Sequence, residues 1–385
     1  MAVTEFKVLF FVIMAVTLIY SVSVKTKRKK RRCIMAVTLI LTLFSGLRSW
    51  QMGDMNHYCW AYLETNLPDW TLKFVNAGDT VGLQLFLRLF GQLGLSFEVC
   101  VFVTAVFVAI TLGILVFRYS TSPFWSYVMY LGMGFFLMTT NTMKQAIAMG
   151  FVILAMMAII EKKPVRFVLL VAVGALFHMP ALVFLIAYPF ANKKINWSYF
   201  FLIIGIMLVI FFFRDQVVDL FTNAYYEDEI QFEAEEFMGG KVYVMIALLV
   251  VALILRPLNR FDTLYCQVFN IIVLAVVAQT FSVYDNVFTR LAEYFFQFVV
   301  LLVPLMLQPY KMQVRFHPEH REQIRYWSPK VIYVAQAGLL TIAVWFYLST
   351  IDLSSALLNE FRFVWEAEGQ TSLELLAEML AEYGG

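Results

Sequence analysis

Two apolar runs, residues 98–117 and 262–282, are each long enough to cross a lipid bilayer as a single helix. Of the 385 residues, 61% are hydrophobic and only 15% are charged, whereas a soluble domain usually carries about 25% charged residues. Lipid offers no hydrogen bonds to the backbone, so a spanning chain must form helices or a closed barrel, and unbroken apolar runs lack the alternation of barrel strands. We therefore predict an all-α, polytopic integral membrane protein.

The hydropathy pattern predicts about 12 membrane segments. Ten are single apolar runs: roughly 6–24, 33–48, 98–117, 123–139, 145–160, 197–213, 241–255, 262–282, 291–308 and 331–350. The stretch 165–191 is either one long helix or a broken-helix hairpin whose two short arms meet at His178. With the hairpin, residues 1–350 form a single transmembrane domain with outer loops at 49–97 and 214–240, and residues 351–385 form a short extracytoplasmic tail.

The distribution of charge favours the hairpin. Only if 165–191 turns back do the inner loops collect 20 of the 29 basic residues, as the positive-inside rule requires. The outer side then receives eight acidic residues in 214–240 and seven in 351–385. The net charge is only +2, which indicates no nucleic-acid partner, and the four scattered cysteines indicate neither a disulfide framework nor a metal site.

Two amphipathic segments lie outside the predicted spans. Residues 81–97 place Gln84, Arg88 and Gln92 at intervals of four among Leu and Phe, which predicts an interfacial helix on the outer leaflet. Residues 371–383 predict a short amphipathic helix in the tail, whose glutamates repeat every four residues and repel one another.

Polar residues at the ends of several spans fall on the outer side of this topology. They are Arg48, Asp54 and Tyr58 after the second span, Asn141, Lys144 and Gln145 between the fourth and fifth, His178 at the hairpin tip, and Asp285 and Arg290 before the span 291–308. Arginine binds phosphate oxygens in a bidentate manner and stays charged in any environment. Cations and carboxylates gathered at one membrane face predict a site for an anionic, lipid-linked substrate.

Each of these residues also has a purely structural explanation. Lys144 and Arg48 could extend to the membrane interface, as long basic side chains near helix ends usually do. Arg290 could pair with Glu293 one helical turn later, and His178 could be a hydrogen-bonded core histidine. The acidic loop 214–240 could bind a divalent cation, but its spacing matches no calcium loop and favours a solvated surface.

The polar motifs resemble a known family. Residues 141–185 contain Asn, then a basic residue followed by Gln, a helix, a short basic loop and a second helix ending in Phe-His. Further motifs are RSWQMGDMNHY at 48–58, the region around Arg290, and NEFRFVWE at 359–366. Together they are similar to the EpsG family of bacterial exopolysaccharide and capsule proteins, which is grouped with the Wzy-type polysaccharide polymerases. Where the family usually has Arg-Gln, this chain has Lys144-Gln145, which keeps the charge but not the bidentate fork.

The resemblance implies an O-antigen-polymerase-like glycosyltransferase with a GT-C-like architecture in the bacterial cell membrane. Such an enzyme joins repeat units carried on polyprenyl pyrophosphate at the extracytoplasmic face, by an inverting transfer without a metal or another cofactor. Its expected partners are the lipid-linked oligosaccharide, membrane lipids, a flippase and a chain-length regulator. His178 or Asp54 is then the group near the acceptor hydroxyl. The expected contacts to the pyrophosphate and the sugar are Arg290, Arg48, Lys144, Gln145, Asn141, Tyr58 and Asp285.

Two other functions are compatible with the sequence. A flippase for lipid-linked sugars would also need broken helices, but it would be expected to show internal symmetry, and the chain has no matching halves. A non-catalytic subunit of a polysaccharide export complex would use the basic loop 309–330 for docking. Only the polymerase would make new glycosidic bonds.

Overall fold

The computed structural model describes residues 2–23, 26–51, 53–73, 80–194, 197–216, 235–259, 261–308, 313–315, 317–354, 358–367 and 369–383. Within these ranges the regular elements are helices, and the β pairing is a single isolated antiparallel bridge between Arg48 and Phe363. The all-α prediction is confirmed. Most of the outer loop 214–240 lies outside the described residues.

Seventeen α-helices follow one another along the described residues. They are α1 (Ala2–Ser23), α2 (Lys27–Gly46), α3 (Asp54–Thr65), α4 (Val81–Gln92), α5 (Phe97–Tyr119), α6 (Pro123–Gly132), α7 (Phe135–Asn141), α8 (Met143–Ile160), α9 (Pro164–Phe177), α10 (Ala187–Ala191), α11 (Trp197–Phe212), α12 (Glu235–Asn259), α13 (Thr263–Thr280), α14 (Asn286–Phe296), α15 (Val299–Met306), α16 (Pro329–Leu353) and α17 (Ser372–Tyr383). Short 3-10 helices are Met179–Ile186, Phe281–Val283 and Pro318–His320.

Six of the described helices are long and apolar enough to cross a membrane. They are Val3–Tyr20, Phe97–Tyr119, Met143–Ile160, Gly240–Asn259, Thr263–Thr280 and Pro329–Leu353. A seventh span results if α14 and α15, which are bent by 48° relative to each other, are counted together. The other apolar helices are shorter than a bilayer requires, and α2 begins with six consecutive basic residues. The chain is thus a multispanning membrane protein, and the total of about 12 segments stays a prediction.

The chain reverses direction at His178. This residue has an extended backbone, with φ −153° and ψ 103°, between α9 and the following 3-10 helix. Phe167, near the start of α9, has its ring 6.0 Å from that of Phe184 and 5.1 Å from that of Tyr188. Residues on opposite sides of the break can meet in this way only if the two arms lie side by side. The predicted hairpin geometry is confirmed, with its tip at the predicted residue.

Contacts between helix ends define a basic end of the bundle. Lys30 Nζ, at the start of α2, donates hydrogen bonds to the carbonyl oxygens of Phe117 (2.9 Å) and Ser120 (2.6 Å), at the end of α5. Glu161, between α8 and α9, forms ion pairs with Arg118 at 3.2 Å, with Lys163 of its own loop and with Arg166 in the first turn of α9. The start of α2, the end of α5 and the loop between α8 and α9 therefore lie together.

The opposite end, called the site end below, contains the end of α2. The Phe44 ring lies 4.9 Å from the ring of Phe6, near the start of α1, and 5.5 Å from that of Phe361, after α16. Since α8 begins and α9 ends away from the loop that joins them, Lys144 and His178 also lie at the site end. The alternating course of the helices thus collects distant polar positions at one end.

Helix α4 forms within the predicted amphipathic segment 81–97, and part of its polar face is turned into the protein. Gln84 is 1% exposed and bonds to the backbone of Lys73, and Arg88 Nη1 donates to Thr65 O at 2.6 Å. Leu85 and Leu89, on the other face, are about half exposed. Gln92, the last residue of α4, is exposed. The side chains of Gln84 and Arg88 bind backbone groups at the end of α3 and in the loop after it, which would otherwise have no hydrogen-bond partner in a helix or sheet.

The described part of the tail packs on the site end. Two backbone hydrogen bonds, Ser49 N to Arg362 O (2.7 Å) and Val364 N to Leu47 O (2.9 Å), attach the tail to the residues that follow α2. Helix α17 begins with a capping box, in which Thr371 and Glu374 each bind the other's backbone N–H. This cap supplies stability that the repelling glutamates of an isolated helix would lack.

Candidate functional site

The hairpin tip places His178 against α14 at the site end. Its Nδ1 atom lies 2.6 Å from the hydroxyl oxygen of Tyr294 on α14, and both side chains are fully buried. This contact provides the hydrogen bond that a core histidine would need. It also fixes the ring, so that only Nε2 remains to be offered to another group.

Two cations approach this histidine from different helices. Lys144, in the first turn of α8, and Arg290, on α14 one turn before Tyr294, both lie close enough to interact electrostatically with His178. Arg290 is half-buried, whereas Lys144 is buried. The fold therefore brings together three of the predicted site residues, which stand far apart in the sequence, and it makes Arg290 the more accessible cation.

The neighbours of Lys144 include buried amide groups. Gln145 is 3% exposed, and its Nε2 has no hydrogen-bond partner among the described residues. The same holds for Oδ1 of Asn141 at the end of α7. A buried polar atom without a partner normally costs free energy, so such atoms mark a functional or hydrated position. These two predicted residues therefore lie at the start of α8 with capacity to bind a further polar group.

Arg48 has a different environment from the one predicted. It is 1% exposed, and its guanidinium donates to the carbonyl and hydroxyl oxygens of Ser45 and contacts the sulfur of Met55 at 3.4 Å. Beside it lies a cavity of about 10 Å³, with room for roughly one water, that is lined also by Thr104. Arg48 Nε and Thr104 Oγ1 both lack a partner among the described residues. Arg48 and Lys144 are both buried within the protein.

Helix α3 carries the next two predicted residues. Asp54 is its first residue and is half-buried, while Tyr58, one turn later, is buried. Met55 and Tyr58 belong to one hydrophobic cluster with Met143, the first residue of α8. Asp54 therefore begins a helix that shares a hydrophobic cluster with the first residue of the helix of Lys144.

Asp285 caps the helix that carries Arg290. Its carboxylate accepts a hydrogen bond from the backbone N–H of Val287 at 2.7 Å. An aspartate at this position binds the otherwise unsatisfied N–H groups of the first turn and interacts favourably with the helix dipole. The structure thus gives Asp285 a positioning function for α14.

Sequence reasoning missed a buried ion pair next to this site. Lys241 of α12 binds the carboxylate of Glu293, and both side chains are buried. The ammonium of Lys241 also lies 5.8 Å from the ring centres of both Phe135 and Phe296. The expected partner of Glu293 was Arg290, on the same helix. The partner is instead supplied by another helix, which no local spacing could reveal.

Comparison with known protein families identifies the family of this chain. A model of the EpsG family matches residues 31–315 of the chain. The chain belongs to the EpsG family. This family is associated with Wzy-type polysaccharide polymerases. Comparison with curated proteins and with solved structures found no match.

The matched region of this EpsG-family protein contains all the site residues described above, and the C-terminal tail follows it. Arg48 is therefore held from both sides: by Ser45 inside the matched region, and by the bridge to Phe363 outside it. The predicted aromatic-basic motif at 359–366 provides that second support. Its resemblance to a family motif had given no indication of which residue it contacts.

Three broken helices meet beside the site of the EpsG-family protein. The breaks separate α6 from α7, α14 from α15, and the two arms of the hairpin. Phe135, just after the first break, has its ring 5.6 Å from that of Phe296, just before the second. Phe184 of the hairpin lies 5.6 Å from Phe295 and 5.5 Å from Phe298, across the same break. Irregular backbone at membrane depth is tolerated only where protein buries it or where it lines a cavity.

The described residues hold no group of three or more His, Cys, Asp or Glu side chains that could bind a metal ion. The acidic loop 214–240, for which a divalent cation was considered, lies mostly outside these residues. The predicted site residues in the described part of this EpsG-family protein are cations, a histidine, a tyrosine, two amides and the carboxylates of Asp54 and Asp285. Such groups bind anions and transfer protons.

Proposed function

We propose that this chain polymerises oligosaccharide repeat units carried on polyprenyl pyrophosphate by an inverting, metal-independent glycosyl transfer. The observation that carries the proposal is the convergence of Lys144, Arg290 and His178 at one end of the bundle, in a member of the EpsG family. Cations beside a group able to accept a proton are what this reaction needs.

The reaction moves one glycosyl group. A hydroxyl oxygen of the acceptor bonds to the anomeric carbon of the donor, the bond from that carbon to the diphosphate oxygen breaks, and polyprenyl diphosphate leaves with the electron pair. Charge grows on the leaving diphosphate, so cations placed beside it stabilise the transition state. Arg290 is half-buried and is proposed as the first contact of the diphosphate, with Lys144, Gln145 and Asn141 deeper in the site.

The proton of the acceptor hydroxyl needs a base, and two groups are candidates. His178 could accept it at Nε2, which requires that Nδ1–H donates to Tyr294 rather than the reverse. Asp54 is the more accessible group, since His178 is 1% exposed. Helix α4 lies against the end of α9, where Thr80 Oγ1, at the N-cap of α4, donates to Phe177 O at 2.6 Å. For His178 to act, α4 must move away from it. We assign Arg48 and Tyr58, both buried, to the support of the site.

The topology belongs to the proposal. The hairpin, the sorted helix ends and the basic end support about 12 membrane segments in a GT-C-like arrangement, with the site end on the extracytoplasmic side of a bacterial cell membrane. A flippase that supplies the lipid-linked unit and a chain-length regulator are the proposed protein partners.

Incubation of the purified protein with lipid-linked repeat units, followed by electrophoresis of the glycan, tests the proposal. The expected result is a ladder of longer products. Arg290→Ala should lower the rate by about 10²–10³-fold, the usual effect of removing a group that stabilises developing charge. Arg214→Ala is the matched control, since Arg214 lies at the end of α11 and contacts Tyr284, just before the helix of Arg290, yet lies outside the site.

The outcomes separate the functions considered. Transport of the lipid-linked unit across vesicles without longer products would identify a flippase. No ladder and no transport, with full activity restored only by another protein, would identify a non-catalytic subunit. If the ladder forms and Arg290→Ala leaves it unchanged, the result would support the polymerase function but refute the proposed contact between Arg290 and the diphosphate.

A further inference from the structure

An open groove follows α9 at the basic end of the bundle, a full helix length from His178. Its volume is about 750 Å³, and it is lined by Lys162, Lys163, Pro164, Val165, Arg166, Leu169, Leu170 and Val173. These residues come from a single helix and the loop before it, so the groove opens to the surroundings of the bundle. It shares no residue with the candidate active site.

The floor of the groove is an apolar helix face. Val165, Leu169 and Val173 follow one another at intervals of four residues and therefore lie along one side of α9. Val165 is 72% exposed and Leu169 is 60% exposed. On a membrane protein such a face contacts lipid chains, and its length suits an acyl chain laid along the helix.

The mouth of the groove is strongly cationic. Lys162, Lys163 and Arg166 are all exposed there, and Arg118 lies close by. These cations share the carboxylate of Glu161: Lys163 lies 2.7 Å from it and Arg166 3.2 Å. The hydrogen bond from Lys163 lowers the pKa of Glu161, so this carboxylate stays ionised at neutral pH. One negative charge against four positive charges leaves an excess of three.

We propose that this groove is a binding site for an anionic phospholipid, whose phosphate is held by Lys162, Lys163 and Arg166 and whose acyl chain lies on Val165, Leu169 and Val173. Charge complementarity selects the headgroup, since basic clusters at membrane interfaces attract anionic lipids. The apolar floor selects a lipid over a soluble anion. The ion pairs of Glu161 are exposed and hence weak, so the cations can turn to a phosphate at little cost. The site does not depend on the proposed function.

The test is a titration with phosphatidylglycerol of the full-length protein in phosphatidylcholine nanodiscs, with bound lipid counted by native mass spectrometry. Each cation near the surface should contribute about fivefold in affinity. The triple variant Lys162→Gln, Lys163→Gln, Arg166→Gln should therefore bind phosphatidylglycerol about 100-fold more weakly. The matched control removes three exposed charges at the same membrane end, by Lys27→Gln, Arg31→Gln and Arg32→Gln on α2, and should retain the high-affinity lipid.

A second variant addresses the acyl chain without touching the charges. Leu169→Trp fills the groove and should displace the bound lipid, although all the cations remain. Equal losses in the triple variant and in its α2 control would overturn the proposal, because they would reflect general surface charge. Unchanged binding in both the triple variant and Leu169→Trp would also overturn it. Binding of a polyprenyl phosphate with no binding of phosphatidylglycerol would replace the proposed occupant and refute the site as stated.

Discussion

Removing only one partner of the buried pair Lys241–Glu293 should strongly destabilise the protein. Both side chains are nearly inaccessible, at 11% and 5% exposure. Removing one partner of a buried pair leaves an uncompensated charge and typically costs about 3–5 kcal/mol. Two aromatic rings at 5.8 Å can still stabilise a lone Lys241 by roughly 1 kcal/mol, whereas the negative faces of aromatic rings do not attract a carboxylate. Lys241→Met should therefore cost more than Glu293→Met.

Free energies of unfolding, measured by reversible denaturation of the protein in mixed micelles, test this order. The double variant Lys241→Met, Glu293→Met should cost much less than the sum of the single ones, since both charges are then gone. Lys7→Met is the matched control, because Lys7 pairs with Asp352 at 2.6 Å on the surface. It should change stability by about 0–1 kcal/mol. Single variants that behave like this control, or costs that simply add, would refute the buried pair.

Two further predictions concern the surroundings of His178. Tyr294→Phe removes the hydroxyl that fixes the imidazole and should leave expression unchanged. It should lower the polymerisation rate by roughly tenfold, which corresponds to the free energy of one hydrogen bond. An unaltered rate would exclude His178 as the base. Gly82→Ala places a Cβ 2.7 Å from the carbonyl oxygen of Leu176 and should destabilise the protein by about 1–3 kcal/mol in thermal unfolding. Gly338→Ala, with open space around it, should be neutral or slightly stabilising and serves as its control.

The sequence was sufficient to predict the helical class and the reversal at His178. Both follow from patterns that lipid imposes: long apolar runs, and basic residues that remain together on one side only if 165–191 turns back. The same rule placed His178, Lys144 and Arg290 at one end before any contact was known. For these residues the order of helices along the chain already determines the end of the bundle.

Depth and direction of side chains were not predictable in this way. The polar stripe of α4 has the spacing of a water-facing surface, yet Arg88 and Gln84 bind the backbone of the preceding loop. Arg48 stands in a motif that resembles a substrate-binding loop, yet it is buried under the tail. A helical period shows which residues share a face. It cannot show what another part of the chain brings to that face.

The broken helices connect the buried pair with the proposed chemistry. A break leaves carbonyl groups without their helical partners, and in lipid each such group must find another donor. At the bend between α14 and α15, Gln297 Nε2 donates to the carbonyl oxygen of Tyr294 at 3.2 Å and supplies one. The same bend ends the short helix on which Arg290, Glu293 and Tyr294 stand, so α14 is a separate rigid piece. Lys241 attaches α14 to α12, and Asp285 caps its first turn. These two contacts hold Arg290 near His178, although α14 is not part of a straight membrane-spanning helix.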